Sequence, residues 1–137
     1  MATLREDLDA AAQWISEALQ SAGYAADFSL KSLQEIDRFF GDHSRDGKPT
    51  QAGLLSQEMG TRIFALGAYI GETIRRAQPK AVWQTDDRDP KGEMNVALVL
   101  PDGSMCWPVQ RAMSRLTEGE SSSIAHYAQS VLNSKHA

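Results

Sequence analysis

The chain has 137 residues, 42% of them apolar and 23% charged, and carries a formal net charge of −4. That is one domain's worth of sequence, able to bury about two-thirds of its unfolded surface, and it is neither disordered nor fibrous in composition. The acidic balance argues against generic binding to phosphate backbones, so nucleic acid is not expected as a partner.

Cys106 is the single cysteine, which excludes an intramolecular disulfide. With no signal-peptide pattern at Met1–Asp9, a reducing cytoplasm is the expected location. No apolar run approaches the roughly 18 residues needed to span a bilayer, so no membrane partner is expected.

Thr3-Leu-Arg-Glu6 has the capping-box spacing, a hydroxyl at the N-cap and a carboxylate three residues on. Leu4, Leu8, Ala11, Ile15, Ala18 and Leu19 recur at helical spacing, and Gly23 makes a stop. Trp14 lies beside this stripe, placed to anchor the helix to the body. A second helix is predicted after Ser29, with Leu30, Leu33, Ile36, Phe39 and Phe40 on its apolar face and Gly41 at its end.

The polar loop Asp42–Pro49 leads to the central helix, Ser56–Pro79, which could begin as early as Thr50. It is apolar on most of its circumference through Ile63–Ile70, so other elements must cover it on several sides. Gly67 and Gly71 share one stripe that Gly60 extends, and each glycine costs about 1 kcal/mol relative to Ala unless it permits a close approach.

After Pro79 the period changes from helical to alternating. Ala81–Thr85 reads as a short strand and Asp86–Gly92 as a charged turn. Glu93–Leu100 reads as the clearest strand, with Met94, Val96, Leu98 and Leu100 on one side, and Met105–Trp107 as the third. Pro101-Asp-Gly-Ser104 supplies the turn between the last two. Pro108 starts a short helix stopped by Gly119, and Ser121–Ser123 caps the last one. The expected architecture is one α+β domain over residues 1–137. It has three N-terminal helices, a three-stranded antiparallel meander and two C-terminal helices covering one sheet face.

Chemistry is sparse. Asp42-His-Ser-Arg-Asp-Gly47 matches positions 1, 3, 5 and 6 of a calcium loop. The bidentate ligand expected at position 12 is replaced by Gly53, and Pro49 stands at position 8, so turn chemistry accounts for these residues without metal. His43, His126 and His136 have no second ligand at metal spacing, and no cofactor is expected. Cys106 sits in a strand between apolar residues, which reads as a buried, inert thiol. Glu72 follows Gly71 in an apolar segment with Arg75 and Arg76 three and four residues on. That is the spacing of a helix-surface ion pair, or, with Tyr69 one turn back, of a carboxylate at a cleft mouth. Asp86, Asp87 and Asp89 form the most accessible acidic turn, a candidate surface for a basic partner.

Two segments, Phe28-Ser-Leu-Lys-Ser-Leu-Gln-Glu-Ile-Asp-Arg-Phe39 and Leu66-Gly-Ala-Tyr-Ile-Gly-Glu72, together with Trp83, resemble a family of small bacterial domains of unknown function. The resemblance covers Phe28–Val109 and implies no activity, catalytic residue or cofactor. In size, charge and class the chain is also similar to immunity proteins that neutralise a toxin. The expected function is a non-catalytic, cytoplasmic protein-interaction module with a basic partner. The alternative is a small enzyme or ligand-binding domain with a cleft near Tyr69, Glu72, Arg75 and Arg76.

Overall fold

A computed structural model describes residues 2–50 and 54–133, with the side chain of residue 54 left aside. Helix α1 (Leu4–Ser21) starts on the expected capping box: the Glu6 N–H donates to Thr3 Oγ1, and the Thr3 N–H donates to Glu6 Oε1 at 2.8 Å. The helix ends before Gly23, whose φ of 95° lies in the region glycine favours. A 3₁₀ turn (Leu30–Ser32) leads into α2 (Leu33–His43).

Gly41 does not stop α2. The helix continues through Asp42, whose carboxylate accepts from the Tyr24 hydroxyl at 2.6 Å. The expected loop is instead a tight hairpin, β1 (Ser44–Arg45) against β2 (Lys48–Pro49). Its two-residue turn, Asp46-Gly47, has φ of 55° and 80°, the pattern of a type I′ turn. Those residues of the calcium-like pattern are thus used by a helix end and a hairpin, and Gly53 lies outside the described residues.

Helix α3 (Met59–Ala77) is the central element, preceded by a 3₁₀ turn (Leu54–Ser56), and it starts later than Ser56. Twelve consecutive residues, Ile63–Ile74, are buried, so α3 is enclosed over three turns. Helices α1 and α5 (Pro108–Glu118) pack along it. A Cβ at Gly67 would fall 2.5 Å from the Val109 Cα, and one at Gly71 would fall 2.1 Å from Trp83 Cη2. Those two glycines let α5 and an indole ring reach the helix backbone. Gly60 does not belong with them: it is exposed, with nothing within 4 Å of its added Cβ.

The meander is β3 (Val82–Gln84), β4 (Ala97–Val99) and β5 (Met105–Cys106), antiparallel in that order. The long strand expected over Glu93–Leu100 is wrong in its first half, where Gly92–Asn95 forms a helical turn, α4. Asp89 directs this: its carboxylate accepts from the Lys91 N–H at 2.8 Å and from Asn95 Nδ2 at 2.9 Å, winding the chain before the strand begins. The layout is therefore mixed helix and sheet as expected, with an extra hairpin before α3 and an extra helical turn inside the meander.

Helix α5 begins with Pro108 in its first turn and ends at Gly119, φ 79°. A 3₁₀ turn (Gly119–Ser122) connects it to α6 (Ile124–Asn133). Among the described residues no helix is long and apolar enough to cross a membrane.

Candidate functional site

The segment Phe28–Phe39 meets the Tyr69 side of α3, while Trp83 meets the opposite side of the helix at Gly71. Tyr69 is fully buried. Its hydroxyl oxygen accepts from the Phe28 N–H at 2.9 Å and lies 2.6 Å from Ser32 Oγ. The Ser32 proton is directed to the Ser29 carbonyl at 2.6 Å, so Tyr69 donates to Ser32, and the phenol is saturated. The Phe28 ring stacks on Tyr69 at 4.6 Å, with the Arg76 guanidinium 4.0 Å from its centroid. Phe28 has φ 65°, rare for an aromatic residue, and this stack and the Tyr69 hydrogen bond hold it there.

Glu72 is 8% exposed and grips Arg75 in a two-bond fork, Nε to Oε1 at 2.9 Å and Nη2 to Oε2 at 2.8 Å. Arg76 Nε adds a third contact at 3.3 Å. Burial alone would raise the Glu72 pKa, but the two guanidiniums more than offset it and hold the group below its ordinary value. Burial pushes the Tyr69 phenol up. The structure thus brings Tyr69, Glu72 and Arg76 together, with Arg75 on the same carboxylate, as a packing node. Tyr69 does not stand at a cleft mouth, and neither acid is tuned for proton transfer near neutral pH.

Asp37, in the middle of the first segment, has a role that local pattern did not reveal. Its carboxylate accepts the Ile124 N–H at 2.8 Å, the Ala125 N–H at 3.0 Å and the Ser123 hydroxyl at 2.9 Å, capping α6 from another helix. Arg115, buried in α5, donates to Asp37 Oδ1 and to its carbonyl, both at 3.0 Å. One side chain therefore ties α2, α5 and α6 together.

Cys106 is buried, and burial raises its thiol pKa, as fits an inert thiol. Among the described residues no group of three His, Cys, Asp or Glu side chains is placed to hold a metal ion.

The acidic turn docks on the N-terminus of α1. Asp87 Oδ1 accepts the Leu4 N–H at 2.8 Å, an orphan donor of the first helical turn. Gly92 lies at the same junction, where a Cβ would meet the Asp86 carbonyl and Leu4 Cδ1, each at 2.8 Å. Asp86 accepts from the Arg88 N–H at 3.0 Å. All three aspartates of the turn are structural acceptors as well as surface charges. Their docking places Glu6, Asp86, Asp87 and Asp89 around one corner of the molecule. The pKa values of Glu6 and Asp89 are lowered, first by the Thr3 N–H and by the Asn95 amide respectively, so both stay ionised.

Next to this corner lies the outer face of the sheet. Trp83, Leu98 and Cys106 stand opposite one another on the face turned to α3, while Val82, Val99 and Met105 align across the other face. Val82 is 58% exposed and Met105 36%, and Trp107, just beyond β5, is 41% exposed. Gln84, on the same outer face, lines a small cleft with Asp86 and Asp89, so the apolar row and the acidic turn adjoin. Sequence pattern marked the aspartates but not the row, because strands of two or three residues carry too little alternation to assign a face.

No family model matches the chain, and no curated protein or solved structure matches it either.

Proposed function

We propose that this chain is a non-catalytic protein-interaction module, bacterial and cytoplasmic, that covers a basic site on a partner in the manner of an immunity protein. The observation that carries this reading is the union of an acidic corner with an exposed apolar row, Val82–Val99–Met105 with Trp107. An apolar centre containing Met and Trp with a charged rim has the composition of a protein interface. Carboxylates held ionised beside it would steer a cationic partner and speed association more than they would add affinity. The sealed Tyr69–Glu72 node supports this reading over an enzyme with its cleft there.

Affinity capture from native extract, followed by binding kinetics on the recovered protein, tests the proposal. Trp107→Ala should weaken binding about thirty-fold, corresponding to roughly 2 kcal/mol at an interface anchor. Glu93→Lys, an exposed substitution beside the turn, should slow association at low salt and matter less as salt rises. A partner whose affinity ignores both substitutions would remove this face from the proposal.

A further inference from the structure

Helices α1 and α3 enclose a cleft of about 290 Å³ on the side of α1 away from its capped N-terminus. Ile15, Leu19, Phe39 and Leu66 form its apolar walls, and Trp14 and Arg62 form its lips, the guanidinium 5.9 Å from the indole centroid. Trp14 was expected to anchor α1 but is 46% exposed, standing at this mouth rather than buried beneath it. Beside Ile15 and Leu19, the last turn of α1 and its cap bring only small side chains, Ala18, Ser21 and Ala22, to the lining, which leaves the space open. Its volume is roughly ten times a water molecule's share of the liquid. Pockets that take small molecules are mostly apolar with a few polar groups that fix orientation. Among the described residues lining this one, Arg62 is the one charged side chain.

We propose that the cleft binds a small apolar monocarboxylate, its body of about ten methylene-sized groups lying against Leu19, Phe39 and Leu66 and its carboxylate meeting Arg62. Positive charge at the mouth selects an anion over an amine of the same shape. The assignment rests on the charge of Arg62 and its place, since a guanidinium has five N–H donors to divide among neighbours. The site is separate from the acidic corner and stands whether or not that corner binds protein.

Octanoate is the probe, with octanol and octylamine as neutral and cationic comparators, read by calorimetry and amide chemical shifts. The expected result is saturable one-to-one octanoate binding, with shifts centred on Ala18, Leu19 and Leu66, and much weaker binding of octylamine. Arg62→Gln should weaken octanoate about tenfold and leave octanol unchanged. Ala18→Phe should fill the cleft and abolish octanoate binding; Ala22→Leu is the second filling variant should the first not fold. The proposal is overturned by an absence of saturable octanoate binding, by equal octylamine binding, by unchanged octanoate affinity in Arg62→Gln, or by shifts centred elsewhere.

Discussion

Gly67→Ala is the most informative single perturbation of the fold, because two opposed effects can be weighed. In an exposed helix position the change gains about 1 kcal/mol of helix propensity. At Gly67 the new Cβ would sit 2.5 Å from Val109 Cα, 2.6 Å from Val109 Cγ2 and 2.8 Å from Val109 N. Ordinary carbon contacts lie near 3.5–4.0 Å, so the two helices must separate by roughly 1 Å. Two of the three atoms are backbone, so no rotamer change in Val109 relieves the clash. Overpacking of this kind costs about 1–3 kcal/mol, and the displacement would also loosen the neighbouring contact of Pro108 with Gly71. The expected net effect is destabilisation by up to about 2 kcal/mol, or up to about 8 °C in Tm for a chain of this size. Gly41→Ala in α2 is the control: it is exposed with nothing within 4 Å, and should gain about 0.4–1 kcal/mol. Urea and thermal unfolding followed by circular dichroism measure both. If Gly67→Ala unfolds at or above the parent, the close approach of α5 to α3 is not what keeps glycine there.

Asp37→Ala should destabilise by about 3 kcal/mol, the lower end for breaking a buried pair, since Arg115 loses its carboxylate and α6 its cap; denaturant midpoints of parent and variant check this. Tyr69→Phe should cost about 1–3 kcal/mol, because the Phe28 N–H loses its acceptor while the stacked rings remain; amide exchange at Phe28 should accelerate along with the fall in Tm. The Glu72 pKa is lowered by folding, so its contribution is present above its ordinary value of 4.5 and is lost as pH falls through the depressed value. The Tm gap between parent and Glu72→Gln should therefore be full at pH 7 and close as pH falls through the depressed value, and a gap independent of pH would contradict the ion pair. Asp87→Ala should lower stability by about 0.5–2 kcal/mol through the loss of an acceptor at the α1 N-terminus, whereas Glu93→Ala should stay within about 0.5 kcal/mol in thermal melts.

Local chemistry was legible where its partners lie a few residues away. The Thr3–Glu6 box, the proline at the start of α5, the positive-φ glycines at Gly23 and Gly119 and the close-packed Gly67 and Gly71 can all be read from spacing. The strand expected at Glu93–Leu100 failed because alternation of Met94, Val96, Leu98 and Leu100 says nothing about Asp89. That side chain reaches forward to Lys91 and Asn95 and winds the first four residues into a helical turn. The hairpin at Ser44–Pro49 had a usable signal in Asp46-Gly47, but strands of two residues carry no pattern to confirm it. Asp37 and Asp87 act on helices 87 and 83 residues away in sequence, beyond any local rule. The same distance hid the convergence of Phe28, Ser32 and Tyr69, which turns a suggestive cluster of residue types into a packing node.

The most direct test of the interaction reading is an amide hydrogen-exchange footprint of this chain with its captured partner. Protection confined to residues 82–89 and 104–107, reduced at high salt, is the predicted result. Protection centred instead on Tyr69–Arg76, or a complex that leaves residues 82–89 and 104–107 exchanging as in the free chain, would contradict it.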